Sequence, residues 1–208
     1  MRPIWIALIF SAVLAGAWPA GAQDAAARYQ ALLADAKAGK PVDWQALRFA
    51  YADSPGFSVF GDGADAPRKQ MNAAFQAGDF KTALAAAKQI SDVDFVDVGA
   101  HIVSDLSDQK LGDQDGAARE HQIAVGLLRS IRTGDGTTKS TAFTVIRVDE
   151  EYVMMSVMGM QVRRQSLIRG ADGHSYDALD VVDGKGGEHT FYFLIDRVTA
   201  AESAMLKH

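Results

Sequence analysis

The stretch EHQIAVGLLRSIRTGDGTTKSTAFTVIRVDEEY, residues 120–152, contains the change of pattern on which the fold turns. Residues 120–132 read as a helix, Thr133-Gly134-Asp135-Gly136 as a turn, and residues 142–148 as a strand ending at Asp149-Glu150-Glu151-Tyr152. Upstream of it the patterns are helical. Downstream they are mostly β-rich, with short glycine-bearing turns. The stretch is therefore both a structural joint and the densest cluster of polar residues able to face a core.

Working outward toward the N-terminus, residues 65–77 and 81–90 form one expected helix pair, and residues 98–110 and 114–132 a second. Asp65 is the expected cap of the first of these helices, with Pro67 in its first turn. Gly78-Asp79 and Gly112-Asp113 stand 112 − 78 = 34 residues apart, and Ala83 and Ala117 keep that offset. A period of about 34 with a Gly-Asp turn between paired helices is the tetratricopeptide signature. Two hairpins are fewer than the roughly three repeats a free-standing solenoid needs, so they must lean on something else.

Earlier still, residues 24–38 carry Tyr29, Leu32, Leu33 and Ala36 on one helical stripe, followed by Gly39 and Pro41. Asp43 is placed to cap a short helix bearing Trp44, Leu47, Phe49 and Tyr51. Residues 56–64 read as a loop pinned by Phe57 and Phe60.

On the C-terminal side, residues 142–148 are apolar on both faces, which suits a central strand. Residues 161–169, 175–182 and 190–195 follow as strands, with turns at Ala171-Asp172-Gly173 and 183–187. Residues 150–160, with four methionines, suit either a strand or a short helix, and residues 199–208 a terminal helix. The expected fold is α+β: tetratricopeptide-like antiparallel helical hairpins packed against a C-terminal antiparallel β-sheet of about four strands. Residues 23–135 would form the helical part and 136–208 the sheet part of one folded unit.

The first residues bear on compartment. Met1-Arg2, the apolar run 4–15 and Ala20-Gly21-Ala22 have the order of a cleavable export leader, cut after Ala22. The apolar run is too short for a comfortable membrane span, and no cysteine follows the cut to carry a lipid. The destination would be periplasmic or secreted, with no membrane span after cleavage. The chain has no cysteine, so disulfides, zinc–thiolate sites and thiol nucleophiles are excluded. Its formal charge is −5, and losing Arg2 with the leader leaves 20 Lys+Arg against 26 Asp+Glu. A mildly acidic chain without a basic run argues against nucleic acid as a partner.

The short catalytic motifs fail on inspection. Residues 134–140 resemble a phosphate loop, but Thr138 rather than glycine precedes Lys139, and the order is helix-to-strand. Asp113-x-Asp115-Gly116 lacks the first acid and the distal glutamate of a calcium loop. Neither H-E-x-x-H nor G-x-S-x-G occurs. The remaining polar candidates are His101, His121, Glu150, Glu151, Gln165, Tyr176 and Asp177. His101 lies 11 residues before Gly112 and His121 nine after it, so a rise of ~1.5 Å per residue puts them at similar height. Facing histidines with Glu120, Glu150 or Glu151 would be able to move a proton. No metal site is assigned, because the third and fourth ligands are missing, and the sequence names no cofactor. Glu150 and Glu151, read as strand neighbours, point to opposite faces and suit structural pairing with Arg129, Arg147 or Arg164.

These residues carry a resemblance. His121-x4-Gly126-Leu127-Leu128-x-Ser130-Ile131, Gly134-Asp135-Gly136, Ala142-Phe143-x-Val145-Ile146, Glu150-Glu151-Tyr152, Gln165-Ser166-Leu167, Ser175-Tyr176-Asp177 and Tyr192-Phe193-x-Ile195-Asp196 resemble, as a set, a family of exported bacterial proteins known as a domain of unknown function (number 4919). The resemblance covers nearly the whole chain after the leader. One departure is Leu194, where the family pattern has Asn before Ile-Asp. It implies helical hairpins plus a sheet, and brings no activity. Three functional readings follow: a non-enzymatic binding module taking a peptide or protein on its helical hairpins, a hydrolase or metal-dependent enzyme using His121 with Glu150 or Glu151, and a polar seam that is purely structural.

Overall fold

The computed structural model describes residues 20–55, 57–59, 61 and 63–205. Most of the expected leader, and Phe60, lie outside them. The order is α1 (Ala20–Lys37), α2 (Trp44–Ala52), α3 (Asp65–Gln76), α4 (Phe80–Val93), α5 (Val98–Leu111), α6 (Gln114–Ile131), β1 (Phe143–Thr144), α7 (Val148–Val157), β2 (Gln161–Arg169), β3 (Ser175–Val182), β4 (Glu188–Leu194) and α8 (Asp196–Met205). The class is α+β, as expected, and no described helix is long and apolar enough to cross a membrane.

Local chemistry sets most helix ends. Asp43 Oδ1 accepts the Ala46 N–H at 2.9 Å and starts α2. Asp65 does not cap α3: it is the first helical residue, after Ala64, and no side chain caps that end. The 34-residue repeat reappears as one device used twice. Gly78 (φ +76°) and Gly112 (φ +85°) take the left-handed conformation that ends α3 and α5. The next residue then caps the following helix, Asp79 accepting from Thr82 N and Asp113 from Gly116 N. Helices α3 to α6 consequently pack each on the next.

The joint differs from the expected one. Only Phe143 and Thr144 form β1, and it lies at the sheet edge, parallel to β4. The sheet order is β1-β4-β3-β2, antiparallel except for the β1–β4 pair, so the sheet is mixed. The reason is competition for the backbone. Thr133 Oγ1 donates to Ala142 O, Arg48 Nη2 donates to Thr144 O, and Glu150 Oε2 accepts from Ile146 N. Val145 N–H makes the last bond to β4, donating to Leu194 O at 3.3 Å, and Ile146 is buried beyond the end of the ladder. Glu150 and Glu151 then fall in the first turn of α7 rather than on a strand. Acidic residues there are favoured by the positive end of the helix dipole.

One core joins both halves. Ile123, Leu127 and Ile131 of α6 and Leu47 and Tyr51 of α2 pack with Phe143, Met155 of α7, Leu179 and Phe193. Phe57 pins the loop after α2, its ring edge-on to Tyr51 at 5.4 Å. A smaller cluster of Met71, Ala86, Ala87, Ile90 and Ala100 holds α3, α4 and α5 together through small side chains. Two glycines permit close approaches. A Cβ on Gly126 would lie 2.4 Å from the Trp44 indole, and one on Gly136 (φ +75°) would lie 2.7 Å from the Phe143 ring.

Candidate functional site

Three polar groups lie where helices meet sheet. The first is built on Arg48, the one charged residue of α2, whose neighbours Leu47, Ala50 and Tyr51 are buried. Its Nε and Nη2 bind Glu150 Oε1 and Oε2 at 3.0 and 2.5 Å, the two-pronged geometry of guanidinium on carboxylate. Nη1 donates to Ser130 Oγ at 3.2 Å, and Nη2 also reaches Thr144 O at 3.2 Å. The side chains of Arg48 and Glu150 are 0% and 2% exposed. Four elements (α2, α6, β1 and α7) thus meet at one ion pair.

The second group surrounds Arg147, which precedes α7. Its guanidinium binds Asp94, reaches Asp97 Oδ2 at 3.5 Å and donates through Nε to Asp149 Oδ1 at 3.1 Å. Asp97 also pairs with Arg68 and caps α5 through Ala100 N at 2.8 Å. Burial pushes Asp94 up to about 6 despite Arg147. Burial acts on Asp97 in the same sense, but Arg68 and Arg147 outweigh it and hold Asp97 below the usual carboxylate range.

The third group is a pair of buried carboxyls. Glu151 of α7 is 0% exposed and Asp177 of β3 is 5% exposed. Gln165 of β2 lies across them, its Nε2 2.5 Å from Asp177 Oδ2 and 3.5 Å from Glu151 Oε2. The Tyr152 hydroxyl donates to Gln165 Oε1 at 2.7 Å, which fixes the amide orientation. Burial, followed by the charge of Asp177 and a hydrogen bond to it, pushes Glu151 up to about 9. Glu151 is therefore protonated at neutral pH. Its Oε1 has no hydrogen-bond partner.

The sequence candidates divide accordingly. Glu151, Gln165 and Asp177 come together, whereas Glu150 belongs to Arg48. Arg129 and Arg164 do not pair with either glutamate; Arg164 binds Asp180 at 2.7 Å. Tyr176 alternates to the other sheet face and donates to Asp172 Oδ2 at 2.8 Å. The two histidines form separate rungs between α5 and α6. His101 is buried, with Nδ1 2.6 Å from Glu120 Oε2 and Nε2 2.8 Å from Phe95 O. His121 has a 65% exposed side chain and meets Asp105 Oδ2 at 2.9 Å. No hydrogen bond or ion pair joins either histidine to Glu150 or Glu151. Among the described residues no group of three or more His, Asp or Glu side chains is placed to hold a metal ion.

Sequence reasoning missed Arg48, Asp94 and Asp97. A signal existed for Arg48: a lone charge on a short helix otherwise rich in large apolar residues must either leave the core or bring a partner into it. Asp97 stands in the capping position before α5, and its second role as an ion-pair partner has no sequence mark.

A groove with a volume of ≈ 570 Å³ lies elsewhere, between α2, β1, the end of β4 and α8. Phe49, Ala52, Val145, Leu194 and Ala201 make its apolar walls, and Gln45, Asp53 and Arg197 its polar part. The Arg197 guanidinium lies 4.2 Å above the Phe49 ring and pairs with Asp53.

Residues 42–204, from the approach to α2 almost to the end of α8, match the family described as "Domain of unknown function (DUF4919)". The chain belongs to this family. No curated protein and no solved structure matches it. The family region holds all three polar groups and the groove, while α1 lies outside it.

Proposed function

We propose that this member of the family is an exported, non-enzymatic binding module whose ligand site is the groove between α2, β4 and α8. The observation that carries the reading is the groove itself: concave, mainly apolar, and supplied with a few convergent polar groups, as small-molecule and peptide sites are. It takes the place of the helical hairpins as the favoured surface, because α3, α4 and α5 spend their small-residue faces on one another. The polar seam supports a structural role. Arg48 and Glu150 satisfy each other, and Arg147 is consumed by Asp94, Asp97 and Asp149. The enzyme alternative draws little support, since His121 turns to solvent beside Asp105 while Glu150 is held by Arg48.

The groove favours an apolar group carrying a polar end that reaches Gln45 or Arg197. Screening amphiphilic small molecules and short apolar peptides by thermal shift tests this. Saturable stabilisation that disappears in Ala201→Trp, which fills the groove, is the expected result. No saturable shift, or a shift indifferent to Ala201→Trp, would overturn it. Export is tested by expressing the full chain in a Gram-negative host and sequencing the N-terminus of the periplasmic product, which should begin at Gln23.

A further inference from the structure

The two edges of the sheet are built in opposite ways. β1 is two residues long, and the carbonyls of Ala142 and Thr144 are already held by Thr133 and Arg48. β2, at the other edge, is nine residues long, and among the described residues it pairs only with β3. Its register is unbroken from Arg164 to Arg169, after an irregularity between Val162 and Arg164. No residue of β2 is buried, and Leu167 is 71% exposed. One edge is closed and the other is left open.

An open edge presents unpaired N–H and C=O groups, a template for another strand. Charge narrows the choice of partner. β2 carries Arg163, Arg164 and Arg169 and no acid, on a chain whose formal charge is −5. Arg164 is paired with Asp180, but among the described residues no carboxylate pairs with Arg163 or Arg169. A second copy adding its own β2 in antiparallel register about Ser166 would set Arg163 of each strand opposite Arg169 of the other, and like charges opposite one another destabilise a ladder. The residues that oppose self-pairing attract an acidic strand. Leu167 and Arg169 share a face, so the partner would set an apolar residue beside a carboxylate on that side.

We propose that the open edge of β2 takes an acidic, extended peptide segment by strand addition, its backbone extending the ladder and its carboxylates meeting Arg163 and Arg169. This rests on the sheet edge and is independent of the groove. The probe is a fluorescein-labelled peptide of repeating Glu-Glu-Val-Val, which sets Glu and Val in turn along each face of a strand, about ten residues long, enough to span β2 at ~3.3 Å per residue. Two companions are a Lys/Val peptide and a Glu/Val peptide N-methylated at every second amide. The expected result is saturable binding of the Glu/Val peptide alone, with slowed amide exchange at residues 164–169. Affinity should fall roughly tenfold or more in Arg163→Glu/Arg169→Glu, since reversing rim charges undoes electrostatic complementarity. Both substitutions are on exposed side chains, and unchanged circular dichroism would verify folding. Absence of saturable binding overturns the proposal. So does equal binding of the N-methylated peptide, which would mean charge adsorption without strand pairing, or a β2-mediated dimer of the free protein.

Discussion

Replacing Arg48 by Met tests whether the polar seam is a structural lock. The substitution keeps an unbranched chain of similar reach and removes the guanidinium, leaving Glu150 with the Ile146 N–H as its remaining hydrogen-bond donor. Both partners lie out of solvent, so little water screening relieves the stranded carboxylate. Breaking a buried pair from one side costs ~3–5 kcal/mol, a large part of the ~5–15 kcal/mol that holds a typical domain folded. Glu150→Leu should cost a similar amount by stranding Arg48. The double variant leaves no unpaired charge; what remains is the loss at Thr144 O and Ile146 N, about 1–3 kcal/mol for each unsatisfied group. Its destabilisation should fall short of the sum of the singles by about 2 kcal/mol or more. Equilibrium urea unfolding at pH 7, with m-values compared to confirm a common transition, measures all four corners of the cycle. A single-variant cost under about 1 kcal/mol, or singles that add within about 0.5 kcal/mol, would refute the reasoning.

Glu151→Gln should flatten the pH profile of stability. The folded protein holds the Glu151 proton up to about 9, while the unfolded chain releases it near 4.5. The native state therefore binds more protons between these values, and stability falls as pH rises through that window. Gln imitates the protonated acid, so urea midpoints from pH 5 to 9 should diverge in favour of the variant; parallel profiles would contradict a buried protonated Glu151. Gly126→Ala should cost about 1–3 kcal/mol by overpacking against Trp44, with a shift in Trp44 emission, readable without interference in a chain expressed from Gln23 onward, which lacks Trp5 and Trp18. An unchanged spectrum would argue against that contact. His101→Leu should cost about 1–3 kcal/mol by leaving Glu120 and Phe95 O unpaired, whereas His121→Leu should stay within about 0.5 kcal/mol, both read by thermal unfolding.

Most elements were legible where one local rule governs. The caps Asp43, Asp79 and Asp113, the left-handed glycines Gly78 and Gly112, and the strands β2 to β4 all follow from a few neighbouring residues. The joint was legible only in position. Residues 142–148 have strong β propensity, yet five of the seven lie outside any strand, because Arg48, Thr133 and Glu150 compete for the backbone groups a ladder would use. Propensity counts neighbours along the chain, and these competitors come from α2, the α6 exit and α7. The site divided for the same reason. Glu151, Gln165 and Asp177 met because they lie on packed neighbours, α7, β2 and β3. Glu150 parted from Glu151 because successive residues of a helix point about 100° apart, which aims Glu150 at Arg48 instead.

By itself the sequence determined the class, the helical repeat with its 34-residue period, the lack of thiol chemistry, and the place where helices give way to sheet. Each of these depends on spacing or composition, which local sterics and hydrogen bonding translate directly into structure. Tertiary structure alone decided that β1 is a two-residue parallel edge, that Arg48 answers Glu150 from 102 residues away, and that Glu151 is buried deeply enough to keep its proton. Those outcomes depend on which charges share a dry interior, and burial is a property of the packed chain rather than of any stretch within it.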